Sequence, residues 1–460
     1  MPTHSPSRSM VSGPLRKVLT CYLGWLAMGL VGPTSLPSMA QDSPAKLPSQ
    51  PNVLLIISDD QGWGDYGFMG HSQLKTPHLD RLAAESLTFR RAYVPSSLCC
   101  PSLASIITGR YPHQHGITSN DPPIPPGTKP GGFYSTEAYR NGRSQLAEMM
   151  TRQATLPRWL GAVGYQSLQT GKWWQNDFRT GGFTAGMTKG ERHGDAGLEI
   201  GRKTLEPIFE FIRECQAKDK PFFVWYAPFL PHAPHDAPED LVAASRSTWK
   251  PGDEEAMGPY FANVLWHDRA VGELLGGLRQ LNCDQNTIVI YVTDNGWIPG
   301  AKRNSYAPKS KQSPYEGGLR TPLMIRWPGH VEPRFEDTPV SSVDIAPTVL
   351  KACGVPVPTD LPGVDLLDPI QVAARSTIFG ECHTHNAVDL NRPAFGLRWR
   401  WAVAGRWKLI APAPQNEPDK APELYDLVDD PGENRNLATA QPERLAKMQR
   451  LLDNWWNGND

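Results

Sequence analysis

The sequence predicts an α/β protein with a large, mixed but mostly parallel sheet flanked by helices, followed by a smaller C-terminal α+β domain. Three observations carry this. Asn52–Ser58, Phe222–Ala227 and Thr287–Thr293 are short continuous apolar runs, the pattern of parallel strands covered on both faces. Stretches of helical spacing at 76–87, 156–164 and 260–281 accompany them. Beyond a Pro/Gly-dense junction at 356–367 the pattern changes: aromatic and basic residues alternate over 396–410, a strand follows at 424–427, and a terminal helix starts near Pro442. A chain of 460 residues exceeds one core, so two domains are expected, 52–360 and 361–460, the second built on a small antiparallel sheet.

Residues 1–40 read as a secretory leader. Arg8, Arg16 and Lys17 precede the apolar run 18–32, and Ser38-Met39-Ala40 offers a small-residue cleavage site before Gln41. That run is short for a bilayer span, with a membrane anchor as the alternative. A linker follows at 41–51, and no later apolar stretch reaches spanning length. The expected product is exported, periplasmic or secreted, without stable membrane insertion. Forty-six basic against 47 acidic residues leave a net charge of −1 and no long run of one sign, so there is no electrostatic footprint for nucleic acid. Cysteines at 21, 99, 100, 215, 283, 353 and 382 are too scattered for a disulfide framework.

Strand 52–58 ends in Asp59-Asp60. Ligand sites in open α/β sheets lie at the carboxyl ends of strands, so this pair reads equally as a site for a hard cation or as an Asp-rich turn. Thr76-Pro77 opens a packing helix. Residues 96–110 run a turn-rich loop into an apolar, helix-like segment, with Pro101 suited to the first turn and Ser102 to the cap. Cys99 then stands just ahead of exposed N–H groups, where a thiol is easily deprotonated or modified; two structural cysteines beside a helix start are the commoner alternative.

Residues 120–142, dense in Pro and Gly, read as a long surface loop of the kind that forms lids or specificity elements, and 181–201, carrying His193 and Asp195, as another Gly-rich loop. A strand at 165–170 runs into Gly171-Lys172-Trp173-Trp174, which puts Lys172 at a cleft or merely on the surface. After Phe222–Ala227, His232 and His235 sit among three prolines on a rigid loop, suited to proton transfer or simply exposed. Thr287–Thr293 ends in Asp294-Asn295-Gly296, repeating the first acidic end. Asp59, Asp60, Asp294 and Asn295 together make an all-oxygen set suited to Ca²⁺ or Mg²⁺. A strand at 322–327 and a helix at 344–350 complete the large domain.

Cys99-Cys100-Pro101-Ser102 followed by Thr108-Gly109-Arg110 resembles the signature of the type I, formylglycine-dependent sulfatases of the alkaline phosphatase superfamily, C-x-P-S-R then T-G-R. Gly171-Lys172-Trp173, Thr293 to Gly296, Tyr315 to Arg320 and Trp327-Pro328-Gly329 are similar to further landmarks in family order. The resemblance implies an alkaline-phosphatase-like sulfatase fold and an arylsulfatase-like sulfuric ester hydrolase acting on sulfated small molecules or glycans. It implies that a formylglycine-generating enzyme oxidises Cys99, whose hydrated aldehyde becomes the nucleophile. One divalent cation, Ca²⁺ ahead of Mg²⁺, is implied at Asp59, Asp60, Asp294, Asn295 and residue 99. Lys172 would steady the hydrate and sulfate, Lys311 contact sulfate and the leaving oxygen, and His232 protonate the leaving alcohol.

Two positions depart from the pattern. Leu103 stands for the arginine, and Trp174 for the histidine of G-K-W-H, which leaves His235, His193, His383 and His385 as replacements by residue type alone. These departures motivate an alternative, a weak or silent homologue that binds sulfated glycans. A phosphomonoesterase or phosphodiesterase on the same fold is a further one, for which the sequence offers neither a Ser/Thr nucleophile nor a second metal set.

Overall fold

Continuous apolar runs become the centre of a nine-stranded sheet. Its strands are β1 (Asn52–Ser58), β2 (Leu87–Tyr93), β3 (Gln166–Gly171), β4 (Ala185–Gly186), β5 (Phe222–Ala227), β6 (Thr287–Thr293), β7 (Arg320–Arg326), β8 (Arg334–Glu336) and β9 (Val340–Ser341). The order across the sheet is β4-β3-β5-β1-β6-β7-β2-β8, with β9 also paired to β2. β1 lies parallel between β5 and β6, whereas β7 runs antiparallel to both β6 and β2, so the sheet is mixed and mostly parallel as expected. This computed structural model describes residues 50–129, 131–252 and 255–459, within one unit spanning 49–460. The leader reading at 1–40, Cys21 and nearly all of the linker lie outside the described residues.

Alternation along each strand sends side chains to opposite faces. Val53, Leu55, Ile57, Trp225 and Ile290 pack with the helices Cys99–Thr108 and Ile345–Ala352 on one face. Leu54, Ile56, Val224, Tyr226 and Tyr291 meet the helices Pro77–Ala84, Glu206–Ala217 and Met257–Gln280 on the other. Burial on both faces explains why β5 and β6 carry no alternation in sequence.

The smaller sheet is antiparallel, in the order β10 (Ile378–His383), β11 (Leu397–Ala404), β12 (Trp407–Pro412) and β13 (Glu423–Asp426). One face takes the terminal helix Pro442–Trp455, and the other packs Trp401, Ile410 and Tyr425 against Tyr93, Val94 and Leu319. The alternating stretch 396–410 is thus a hairpin rather than one strand, turned at Gly405 with φ +60°.

Residues 137–142 differ from expectation. The last six residues of the anticipated loop open the helix Glu137–Thr151, capped where Thr136 Oγ1 accepts from Tyr139 N–H at 3.1 Å. Gly142, which suggested a loop, is a packing residue, because a Cβ there would meet Pro122 Cβ at 2.2 Å. No helix among the described residues is long and apolar enough to cross a membrane.

Candidate active site

The thiol helix begins at Cys99 itself, with Leu98 as its N-cap, and all ten of its residues are buried. Ser102 therefore lies inside the helix and caps nothing; among the described residues its hydroxyl has no partner. Gly109 ends the helix at φ +67°, donating to Ser105 O at 2.8 Å, and a Cβ there would meet Ala346 Cβ at 2.7 Å, which accounts for the glycine after Thr108. Cys99 is 1% exposed, and burial pushes its thiol up to about 12 although Lys172 and Lys311 oppose this. The expectation of an easily deprotonated thiol is reversed: a helix start lowers a pKa only as far as desolvation allows.

Both acidic strand ends arrive at this helix. Asp60, in left-handed backbone at φ +59°, accepts Asn295 Nδ2–H at 2.6 Å and donates its own N–H to Asp294 Oδ1 at 3.1 Å. Lys311 Nζ donates to Asp60 Oδ1 and Oδ2 at 2.6 and 2.8 Å and to Cys99 Sγ at 3.0 Å. Lys172 Nζ lies 2.5 Å from Asp59 Oδ1 and 3.5 Å from Asp294 Oδ2. Burial alone would lower Lys172, but Asp59, Cys99, Asp294 and Asp60 outweigh it and hold the ammonium well above its ordinary value. Asp59, Asp60, Cys99, Lys172, Asp294, Asn295 and Lys311 thus share one buried cleft, and of the two readings of Lys172 the surface one fails.

His232 enters the same cleft. Its ring lies 4.2 Å from Phe229, Nδ1–H donates to Ala233 O at 2.6 Å, and Nε2 stands 3.4 Å from Asp60 Oδ2. Burial, then Lys172 and Lys311, hold this imidazole well below its ordinary 6.5. Of the four histidines considered for the position of Trp174, His193 comes nearest. Its ring is 4.5 Å from Trp174 and 5.9 Å from His232, and its backbone is left-handed at φ +70°. His383 instead lies 3.2 Å from Glu381, His385 lies 4.0 Å from Asp121, and His235 packs on Tyr260 at 5.5 Å. Trp174 and Leu103 are both buried in the apolar core, so neither departure leaves a gap.

The oxygen set fits a divalent cation. Asp59 Oδ2, Asp294 Oδ2 and Asn295 Oδ1 are buried with no hydrogen-bond partner among the described residues, and ligand atoms of Asp59, Asp60 and Cys99 all lie within 4.8 Å of one another. Buried oxygens left without donors are costly unless a cation satisfies them, and carboxylate and amide oxygens select a hard ion.

Sequence reasoning missed the residues that hold this cleft in shape. Asn120 Oδ1 accepts Cys100 N–H at 2.9 Å, Gln175 Nε2 donates to Cys100 Sγ at 3.0 Å, and Arg143 donates to the carbonyls of Asn120 and Trp174. They lie on stretches with no motif of their own, so only the fold assembles them.

The sulfatase family matches residues 51–355, and the C-terminal region of N-sulphoglucosamine sulphohydrolase matches 309–455. Arylsulfatase A of Homo sapiens is 29% identical, covering 87% of each chain. N-acetylgalactosamine-6-sulfatase of Canis lupus familiaris is 27% identical, covering 88% of this chain and 85% of its own. Among solved structures, BT4656 in complex with its substrate D-glucosamine-2-N,6-O-disulfate shares the fold at a TM-score of 0.70 and 20% identity, covering 89% of this chain and 98% of that one. With two separated acidic strand ends, two lysines and a thiol converging in one cleft, and a family match over most of its length, the chain belongs to the sulfatase family and is a sulfuric ester hydrolase.

Proposed function

We propose that the protein hydrolyses sulfate esters of carbohydrates, with residue 99 acting after oxidation from cysteine to formylglycine and with one divalent cation, Ca²⁺ ahead of Mg²⁺. The observation that best supports this is Lys311 Nζ, which spans Asp60 at 2.6 Å and Cys99 Sγ at 3.0 Å and so ties the cation-type oxygens to the nucleophile position. Carbohydrate as the substrate class is supported by the N-acetylgalactosamine-6-sulfatase relative and by the glucosamine disulfate complex. The reading extends to export through residues 1–40, to a catalytic domain at 52–360 with a C-terminal subdomain at 361–460, and to a formylglycine-generating enzyme as maturation partner.

Asp59, Asp60, Asp294 and Asn295 would hold the cation, with the residue 99 oxygen as a further ligand. When bound, the ion neutralises sulfate charge and lowers the pKa of an adjacent hydroxyl; the hydrated aldehyde supplies an oxygen nucleophile. Lys172 and Lys311 place two ammonium groups where sulfate charge accumulates, inside a cleft that excludes water and so strengthens them. Lys311, beside residue 99, also reaches the leaving oxygen. His232, whose Nδ1–H is committed to Ala233 O, keeps Nε2 directed into the cleft. Burial and the two lysines keep this imidazole neutral, so Nε2 would first have to take up a proton, which the negative charge of a bound sulfate favours, before passing it to a departing alkoxide.

The test is protein co-expressed with a formylglycine-generating enzyme. The peptide carrying residue 99 should lose about 18 Da, the exchange of sulfur and hydrogens for oxygen. The protein should turn over 4-nitrophenyl sulfate, lose that turnover to a chelator and regain it with Ca²⁺. A modified residue 99 without turnover, or turnover indifferent to chelation, overturns the reading.

A further inference from the structure

Beside the cleft lies an open cavity of about 610 Å³ lined by Tyr134, Tyr139, Arg140, Arg143, Asn176 and Arg192, among others. The mechanism uses none of these residues. They come from the helix Glu137–Thr151 with the turn before it, the segment after β3, and the Gly-rich loop at 181–201. From this wall we infer that the cavity binds a second anionic group, a sulfate or carboxylate, on the saccharide whose sulfate ester is cleaved. The inference rests on the sulfate-ester reading above and adds to it the substrate class, a saccharide carrying two acids.

Charge comes first. Three guanidinium groups face the cavity against one lining carboxylate, Glu191. Arg192 is already paired: its Nε and Nη2 donate to Asp121 at 3.0 and 2.8 Å, and its Cζ lies 4.6 Å from the Trp174 ring and 5.1 Å from Tyr134. Arg140 and Arg143 are not. Their hydrogen bonds go only to the carbonyls of Ser135, Asn120 and Trp174, and among the described residues neither forms an ion pair. Guanidinium groups anchored through neutral carbonyls keep their full charge for an incoming anion, and their planar forks suit sulfate and carboxylate alike.

Position comes second. Trp174 connects the two sites, since its ring lies 6.0 Å from Lys172 Nζ and 5.5 Å from Arg143 Cζ. Arg143 also shares Asn120 with the thiol helix, donating to its carbonyl while its side chain accepts Cys100 N–H. One aromatic ring thus stands between the two cationic places, a spacing that groups on one or two sugar rings can bridge. Tyr134, 49% exposed at the rim, offers a face on which a sugar can stack. Trp174 itself is buried, and its ring packs against the guanidinium groups of Arg143 and Arg192.

Calorimetry on the Cys99→Ala protein, which cannot turn over, tests the cavity apart from catalysis. D-glucosamine-2-N,6-O-disulfate and a 6-sulfated disaccharide carrying a uronate serve as two-anion probes, and D-glucosamine 6-sulfate as the one-anion probe. At least one two-anion probe should bind tenfold or more tightly than the one-anion probe, and which does so separates sulfate from carboxylate. Arg140→Gln, an exposed change, should remove most of that preference, and the Arg140→Gln/Arg143→Gln pair the remainder. In otherwise native enzyme, Arg140→Gln should leave 4-nitrophenyl sulfate kcat/KM within twofold. Equal affinity for all probes, or a loss in Arg140→Gln that is the same for one- and two-anion probes, overturns the inference. If 4-nitrophenyl sulfate is not turned over by native enzyme while the calorimetric preference persists, the sulfatase chemistry falls and the cavity assignment stands.

Discussion

Gly171 closes β3 at φ +78°, in register with Ala227 on β5, and immediately precedes Lys172. A Cβ there would fall 1.9 Å from the Ala227 carbonyl oxygen, whereas real Cβ contacts do not come under 3.0 Å, so Gly171→Ala must part the two strand ends by about 1.1 Å. Lys172 donates its own N–H to that same carbonyl at 2.7 Å and moves with the displaced backbone. A misplacement of about 1 Å at a reacting centre costs roughly 100-fold in rate. The left-handed backbone separately costs a non-glycine residue about 1–2 kcal/mol. Gly164→Ala divides the two effects, because Gly164 has φ +96° with nothing within 4 Å of its Cβ position. Urea unfolding and 4-nitrophenyl sulfate kcat/KM should show Gly164→Ala losing about 1–2 kcal/mol at unchanged rate. Gly171→Ala should lose more stability and roughly 100-fold in kcat/KM. If both variants behave alike, or Gly171→Ala keeps full activity, then placement of Lys172 by the strand end is not what the glycine secures.

Cys99→Ala should abolish sulfate release yet melt as a folded protein; retained turnover would remove the assigned nucleophile. Lys408→Met should destabilise by about 3–5 kcal/mol in urea, since the fully buried ammonium lies 3.0 Å from Glu316 and 2.9 Å from Glu433 and its loss leaves Glu433 without a cation and Glu316 with Arg320 alone at 3.7 Å; a loss under about 1 kcal/mol contradicts this. His267 is buried without a hydrogen-bond partner among the described residues, and burial lowers it from 6.5 to about 3. Between those values the unfolded chain binds the extra proton, so stability falls as pH drops below 6.5, by at most about 2.7 kcal/mol over two pH units. His267→Leu should flatten that acid limb in urea titrations at several pH values, and an unchanged slope counts against the buried neutral imidazole.

The sequence signals that worked were local ones. β1 and β6 could be read because strand, acid and turn follow one another within ten residues, and the sheet then carries both acidic ends to the same edge. β2 escaped because Arg90 and Arg91 interrupt its apolar pattern, their side chains half-buried at the sheet's edge region beside β7 and β8. The helix at 137–151 escaped because Gly142 looks like a loop residue until Pro122 is seen against it. His193 shows the same limit at the site. Residue type alone could not rank it above His235, His383 or His385, since its approach to Trp174 depends on left-handed backbone at His193 and Asp195 and on Trp173 N–H donating to His193 O at 2.9 Å. The thiol is the opposite case. Its motif was plain, but its acidity is set by a solvent exclusion that no spacing of residues reports. Two lysines in electrostatic reach still leave Cys99 near 12, because the desolvation imposed by the packed helix outweighs both of them.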